Sequence, residues 1–114
     1  MKINSFEEII AWQKARELTL LVYGNFRFCK DFSFKDQIQR ASVSVMNNIA
    51  EGFERGGDKE LRHFFYIAKG SCGEVRSMLD LALSLKYTKM ESFTEMNDLS
   101  IETSKILSGF IKTL

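Results

Sequence analysis

Proline is absent from this 114-residue chain, so no position is obliged to break a helix or to give up a backbone donor. Histidine occurs once, at His63, and cysteine twice, at Cys29 and Cys72. A histidine-based metal centre or a His-paired nucleophile would therefore have to be built around a single imidazole. The two cysteines lack metal-ligand spacing and are expected to be free thiols. Neither sign of charge dominates: 16 Lys and Arg against 15 Asp and Glu leave a formal net charge of +1, too small to announce a polyanionic partner by bulk electrostatics. No apolar run approaches the roughly 20 residues of a bilayer span. The opening MKINSFEEII has neither the basic start nor the cleavage site of a signal peptide, so a cytoplasmic location and no membrane partner are expected.

What is present is the composition of an ordinary globular protein, 45% hydrophobic and 27% charged, in a length that suits one domain over 1–114. The hydrophobic period is helical throughout. Ala11, Ala15, Leu18, Val22 and Phe26 recur every three or four residues in a first helix that SFEE is expected to open by a capping box, with Ile10, Leu21 and Phe28 widening the face. Phe34, Ile38, Ala41, Val45, Ile49 and Gly52 mark a second, started by Ser33 with Asp36 and closed by Gly56 and Gly57. The third, capped by Asp58, carries Leu61, Phe65, Ala68, Cys72, Val75, Leu79 and Ala82 at coiled-coil spacing. Beside that seam runs another: Phe64, Ile67, Ser71, Glu74, Met78, Leu81 and Leu85. The fourth is expected to start at SFTE and to bury Phe93, Met96, Leu107, Ile111 and Leu114, with a weaker middle at Ser100, Thr103 and Ser104. Short connections force consecutive helices antiparallel. The fold class is all-α: an up-down-up-down antiparallel four-helix bundle.

The second helix is unusual, since no charge falls between Arg40 and Glu51 and since Val43, Met46 and Ala50 are apolar although they lie off the core seam. A helix with so little polar perimeter needs neighbours on more than one side, which points to a homo-oligomer. The alternative is that small residues merely allow close packing within one subunit. On the oligomer reading Val43, Met46, Asn47, Asn48, Ala50, Glu51, Arg55 and Glu74 are interface or structural polar candidates. Gly70 and Gly73, each costing ~1 kcal/mol inside a helix relative to alanine, are expected to have a packing reason.

Chemistry is thinly signalled. Glu60 and His63 have the E-x-x-H spacing of di-iron bundles, but such sites need two of these motifs and two further glutamates, so no metal or other cofactor is expected. Glu51 and Glu74 stand among apolar neighbours. A desolvated carboxyl there could act as a general base, which makes a small acid-base enzyme the alternative function; pairing with arginine is the structural one. Lys14, Arg16, Arg27, Lys30, Lys35 and Arg40 cluster around the first helical hairpin as nucleic-acid candidates, diluted by Glu17, Asp31 and Asp36. A solvated helix surface would look similar.

The segment SVSVMNNIAEGFERGGDKELRHFFYIAKGSCGEV resembles the signature of the bacterial four-helix-bundle proteins named after open reading frames in intervening sequences of 23S ribosomal RNA genes, also labelled S23-like. The matching positions are Ser44, Asn48, Ile49, Ala50, Glu51, Gly52, Arg55, Phe64, Tyr66, Ile67, Ala68, Gly70, Ser71 and Glu74, with WQKA and DQIQRA in support. Met46 and Cys29 stand where that family often has proline. The resemblance implies a homo-oligomer, commonly a pentamer, without established enzyme activity. Related accessory proteins of diversity-generating retroelements are pentameric and associate with nucleic acid and a reverse transcriptase. The expected function is thus a non-enzymatic, homo-oligomeric helical scaffold that binds RNA or a nucleic-acid-processing protein through its outer surface.

Overall fold

The computed structural model describes residues 2–114. A 3-10 turn, Phe6–Glu8, leads into four helices: α1 (Ile10–Asn25), α2 (Phe32–Arg55), α3 (Asp58–Ser84) and α4 (Met90–Ile111). Each helix packs on its two neighbours, α1 on α2 and α4, α3 on α2 and α4, and the backbones of the diagonal pairs stay apart, which is the square cross-section of an up-down-up-down bundle. The body measures 43 × 21 × 19 Å.

The seams read from the sequence form the interior. Ala11, Ala15, Leu18, Val22 and Phe26 are sealed from water, as are Ile38, Val45 and Ile49 on α2 and Phe65, Ala68, Cys72, Val75, Leu79 and Ala82 on α3. Burying a leucine or phenylalanine is worth roughly 1.5–3 kcal/mol, so these positions hold the four helices together. On the first helix Ile10 and Phe28, expected to widen the core face, are instead exposed, Phe28 at 83%, and on the second α3 seam so are Ile67, Leu81 and Leu85. Phe28 lies beyond the end of α1, where the helical period no longer governs direction.

The expected caps shift by a few residues. Ser5 and Glu8 do meet, the hydroxyl donating to the carboxylate at 3.5 Å, but they close the 3-10 turn, and α1 starts only at Ile10. Asp31, not Ser33, caps α2 by accepting from the Phe34 N–H at 3.1 Å. Gly57 rather than Asp58 precedes α3, and Lys89 rather than Ser92 precedes α4. Gly56 and Gly57 have φ of 74° and 89°, the left-handed region where a β-carbon is unfavourable. Lys86, at φ 62°, takes that conformation without being glycine. It occupies the reversal of a Schellman motif, in which the Tyr87 N–H donates to Ala82 and the Lys86 N–H to Leu83.

The interior is two apolar clusters, one around Leu18, Phe26, Ile38, Leu79 and Met96, the other around Ala15, Ile49, Phe65 and Leu107. Between them every helix contributes a buried hydroxyl: Thr19, Ser42, Ser71, Ser100 and Thr103. The middle of α4, expected to be weak, is therefore fully interior at Ser100 and Thr103. Ser42 and Thr103 donate to carbonyls of their own helices, Gln39 and Leu99, and the other three reach across helix contacts. Thr19 donates to the Ser42 carbonyl at 3.1 Å, Ser44 and Ser71 share a bond of 2.9 Å, and Ser100 donates to the Cys72 carbonyl at 3.1 Å.

Candidate functional site: a basic groove between two helices

The α2–α3 contact is close because small residues line it. A β-carbon at Gly52 would stand 2.8 Å from the Phe64 Cβ, so glycine is required there by the approach of α3. Asn48 belongs to the same seam: its amide donates to the Ser44 carbonyl and hydroxyl at 2.8 and 3.0 Å. Met46 packs against the core cluster that holds Ile49 and Phe65. Both are thus engaged within the chain. Val43 and Ala50 are half-buried and Asn47 is exposed, so the second helix is not enclosed by its own subunit. Val43 and Asn47 border a shallow depression with Tyr23, Arg40 and Glu51.

Glu51 and Glu74 are exposed, which corrects the expectation of desolvated carboxylates. Glu51 accepts two bonds from Arg55, at 3.2 and 2.8 Å, in an exposed pair four residues apart. The Arg55 guanidinium also lies 4.9 Å from the Phe64 ring centroid. Its bond to the Glu51 carboxylate holds Arg55 above its ordinary pKa. Among the described residues no group of three His, Cys, Asp or Glu side chains could hold a metal ion. Cys29 and Cys72 are both free thiols. Burial pushes the Cys72 thiol up to about 11, against smaller opposing effects of Arg76 and the Ser100 hydrogen bond, so it is no nucleophile at neutral pH.

The cations of the first hairpin have partners of their own. Lys14 pairs with Glu102 at 3.5 Å and Arg40 with Asp36 at 2.8 Å. Lys35 donates to the Arg27 carbonyl at 2.8 Å and stands 6.0 Å from the centre of Phe32. Arg27 lies over Phe28 at 5.3 Å. Lys30 borders a depression with Asp31 and Tyr87. Arg16 is exposed on α1, away from this turn. The structure thus gathers Arg27, Lys30 and Lys35 at one end of the bundle and leaves Lys14, Arg16 and Arg40 along its sides.

A different set of cations lines a groove between α3 and α4: Lys69, Arg76, Lys105 and Lys112, with the Ser104 and Ser108 hydroxyls between them. No acidic residue borders it. None of the four makes a salt bridge among the described residues, and Arg76 Nη1 is sealed from water without a hydrogen-bond acceptor. Sequence reasoning passed over these residues because they are scattered among acids along the chain. Their signal was spacing: Lys69 to Arg76 and Lys105 to Lys112 are each seven residues apart, two turns along one helix face.

The profile of the 23S rRNA-intervening sequence protein family matches residues 7–109. The chain belongs to that family. A crystal structure of a protein of unknown function from the S23 ribosomal protein family of Bacteroides thetaiotaomicron VPI-5482 superposes with a TM-score of 0.83 at 22% identity, covering 90% of this chain and 96% of that one. At that identity the likeness speaks for the shared helical fold. No match is found among curated proteins. Membership in the 23S rRNA-intervening sequence protein family agrees with the resemblance carried by Asn48 to Gly52 and by the aromatic stretch of α3. No described helix of this family member is long and apolar enough to cross a membrane.

Proposed function

We propose that the protein is a non-enzymatic, self-associating helical scaffold of the cytoplasm, pentameric as the resemblance implies, that holds RNA on its outer surface. The observation that carries the self-association is the outward stripe of α3. Ile67, Leu81 and Leu85 are 40%, 47% and 46% exposed there, beside Tyr66. Gly70 lies among them with nothing within 4 Å of where its β-carbon would be. Glycine inside a helix costs ~1 kcal/mol, and no contact within the subunit explains it. A second copy approaching closely supplies the reason. The stripe differs from the Val43–Asn47–Ala50 strip of α2, where Val43 and Ala50 are half-buried and Asn47 is exposed, so pairing one with the other is heterologous and generates a ring when it closes.

Sedimentation equilibrium tests this directly. The wild-type chain should sediment as a closed multimer, and Leu81→Glu with Ile67→Glu should release folded monomers; a wild-type monomer at high concentration would overturn the reading. Glu51→Gln, which removes the exposed Arg55 pair, should weaken assembly. The enzyme alternative gains no support from Glu51 or Glu74, since both are open to water and neither faces an enclosed cavity.

A further inference from the structure

We propose that the α3–α4 groove is a binding track for the phosphodiester backbone of single-stranded RNA, with Lys69, Lys105 and Lys112 contacting phosphates and Arg76 as a guanidinium released on binding. The inference rests on the RNA-scaffold reading above and assigns its contact surface to a hairpin other than the one whose sequence is visibly basic.

Three observations converge. The groove is lined by four cations and by no acid, so its potential is uncompensated in a chain whose total charge is nearly balanced. Within each helix the two cations are about 10 Å apart along the axis, so the four spread positive charge along the groove as an extended polyanion requires. Arg76 Nη1, sealed and without an acceptor, is in an unfavourable pose in the free protein. Swinging out toward a phosphate would satisfy it in the bidentate geometry that guanidinium groups prefer. The Ser104 and Ser108 hydroxyls add neutral donors to phosphate oxygens. Gly109, on the groove wall with nothing within 4 Å of its β-carbon position, leaves room for the backbone of a ligand. In a ring the same track recurs on every subunit, so a continuous strand can engage several grooves at once.

The test is fluorescence anisotropy with a labelled single-stranded oligouridylate, across a salt series, on the intact assembly. Lys69→Gln/Lys105→Gln/Lys112→Gln should weaken binding at least ten-fold at low salt. The same variant should reduce the slope of log affinity against log salt by about 2, on the order of 0.7 for each lost phosphate contact. Circular dichroism and sedimentation confirm that the variant folds and assembles, as substitutions outside the core should. Arg16→Gln/Lys30→Gln/Lys35→Gln should change affinity less than three-fold. A larger loss from this first-hairpin variant would overturn the groove while leaving an RNA scaffold standing. Failure of the wild type to bind at any salt concentration would overturn both. Displacement of the oligonucleotide by pyrophosphate at micromolar concentration would mark a small-anion site and overturn the backbone track.

Discussion

The two hairpins of the bundle carry comparable numbers of cations and use them differently. In the α1–α2 hairpin Lys14 and Arg40 have carboxylate partners, and Arg27 and Lys35 lie against phenylalanine rings. In the α3–α4 hairpin Lys69, Arg76, Lys105 and Lys112 share a groove without a single carboxylate. What separates them is the company the charges keep, which depends on the packing of α3 against α4 and is invisible in a count along the chain. Exposed pairs such as Arg40–Asp36 contribute only about 0.3–0.5 kcal/mol, so the first hairpin gains little stability from its arrangement. It loses availability at Lys14, Arg27, Lys35 and Arg40, which already have partners.

The comparison can be broken most forcefully at the aromatic residues that end the first hairpin. Phe26 and Phe34 are buried and meet edge-to-face at 5.4 Å, while Phe28 and Phe32 are 83% and 71% exposed. Phe26→Ala should lower unfolding free energy by about 3–5 kcal/mol in urea titration, and Phe28→Ala should leave it within about 0.5 kcal/mol. Equal losses at both would mean that the turn is packed differently. The glycines come next. Gly52→Ala should destabilise by about 1–2 kcal/mol, since the Phe64 Cβ cannot move away without shifting α3, whereas Gly70→Ala should stabilise the isolated subunit by about 0.5–1 kcal/mol and weaken its assembly.

A finer contrast concerns the arginines. Arg76→Met removes a sealed donor that bonds to nothing and should raise stability by about 1 kcal/mol, while Arg40→Met, losing an exposed pair, should cost less than about 0.5 kcal/mol. The smallest effect separates the cysteines, one in each hairpin. A thiol probe should label half-buried Cys29 in the native state and reach Cys72 only after unfolding. Because burial raises the folded Cys72 pKa to about 11, the folded state holds this proton more tightly than the unfolded one. The stability from this group is fully present below about pH 8.5 and is lost as pH rises through 11. Cys72→Ala should abolish that part of the alkaline decline in thermal melts.

Much of the bundle was legible because helical periodicity reports burial directly: the α3 seam from Phe65 to Ala82 is interior at every step. Helix starts were less legible, since Ser5, Ser33 and Ser92 all offer capping chemistry and tertiary packing chose Ile9, Asp31 and Lys89 instead. The carboxylates misled for a related reason. Glu51 and Glu74 have apolar neighbours in sequence, yet each lies on the water side of its helix, one turn from the seam. The α3–α4 groove stayed hidden because it joins residues from separate helices, and only the packing of α3 against α4 brings these four cations together with no acid among them. Ser100 and Thr103 escaped because polarity was taken for exposure, whereas each donates to a carbonyl within reach.

Those hydroxyls have a consequence for the groove. Thr19, Ser71 and Ser100 each bond to a carbonyl or hydroxyl of a neighbouring helix, so sliding one helix past its neighbour by a turn would break those bonds in a dry interior. Apolar side chains alone would tolerate such slippage. The belt of serines and threonines therefore works as a set of dowels: with Ser100 fixed on Cys72, the cations of α4 face those of α3 at one height only, and the track is in alignment before any strand arrives.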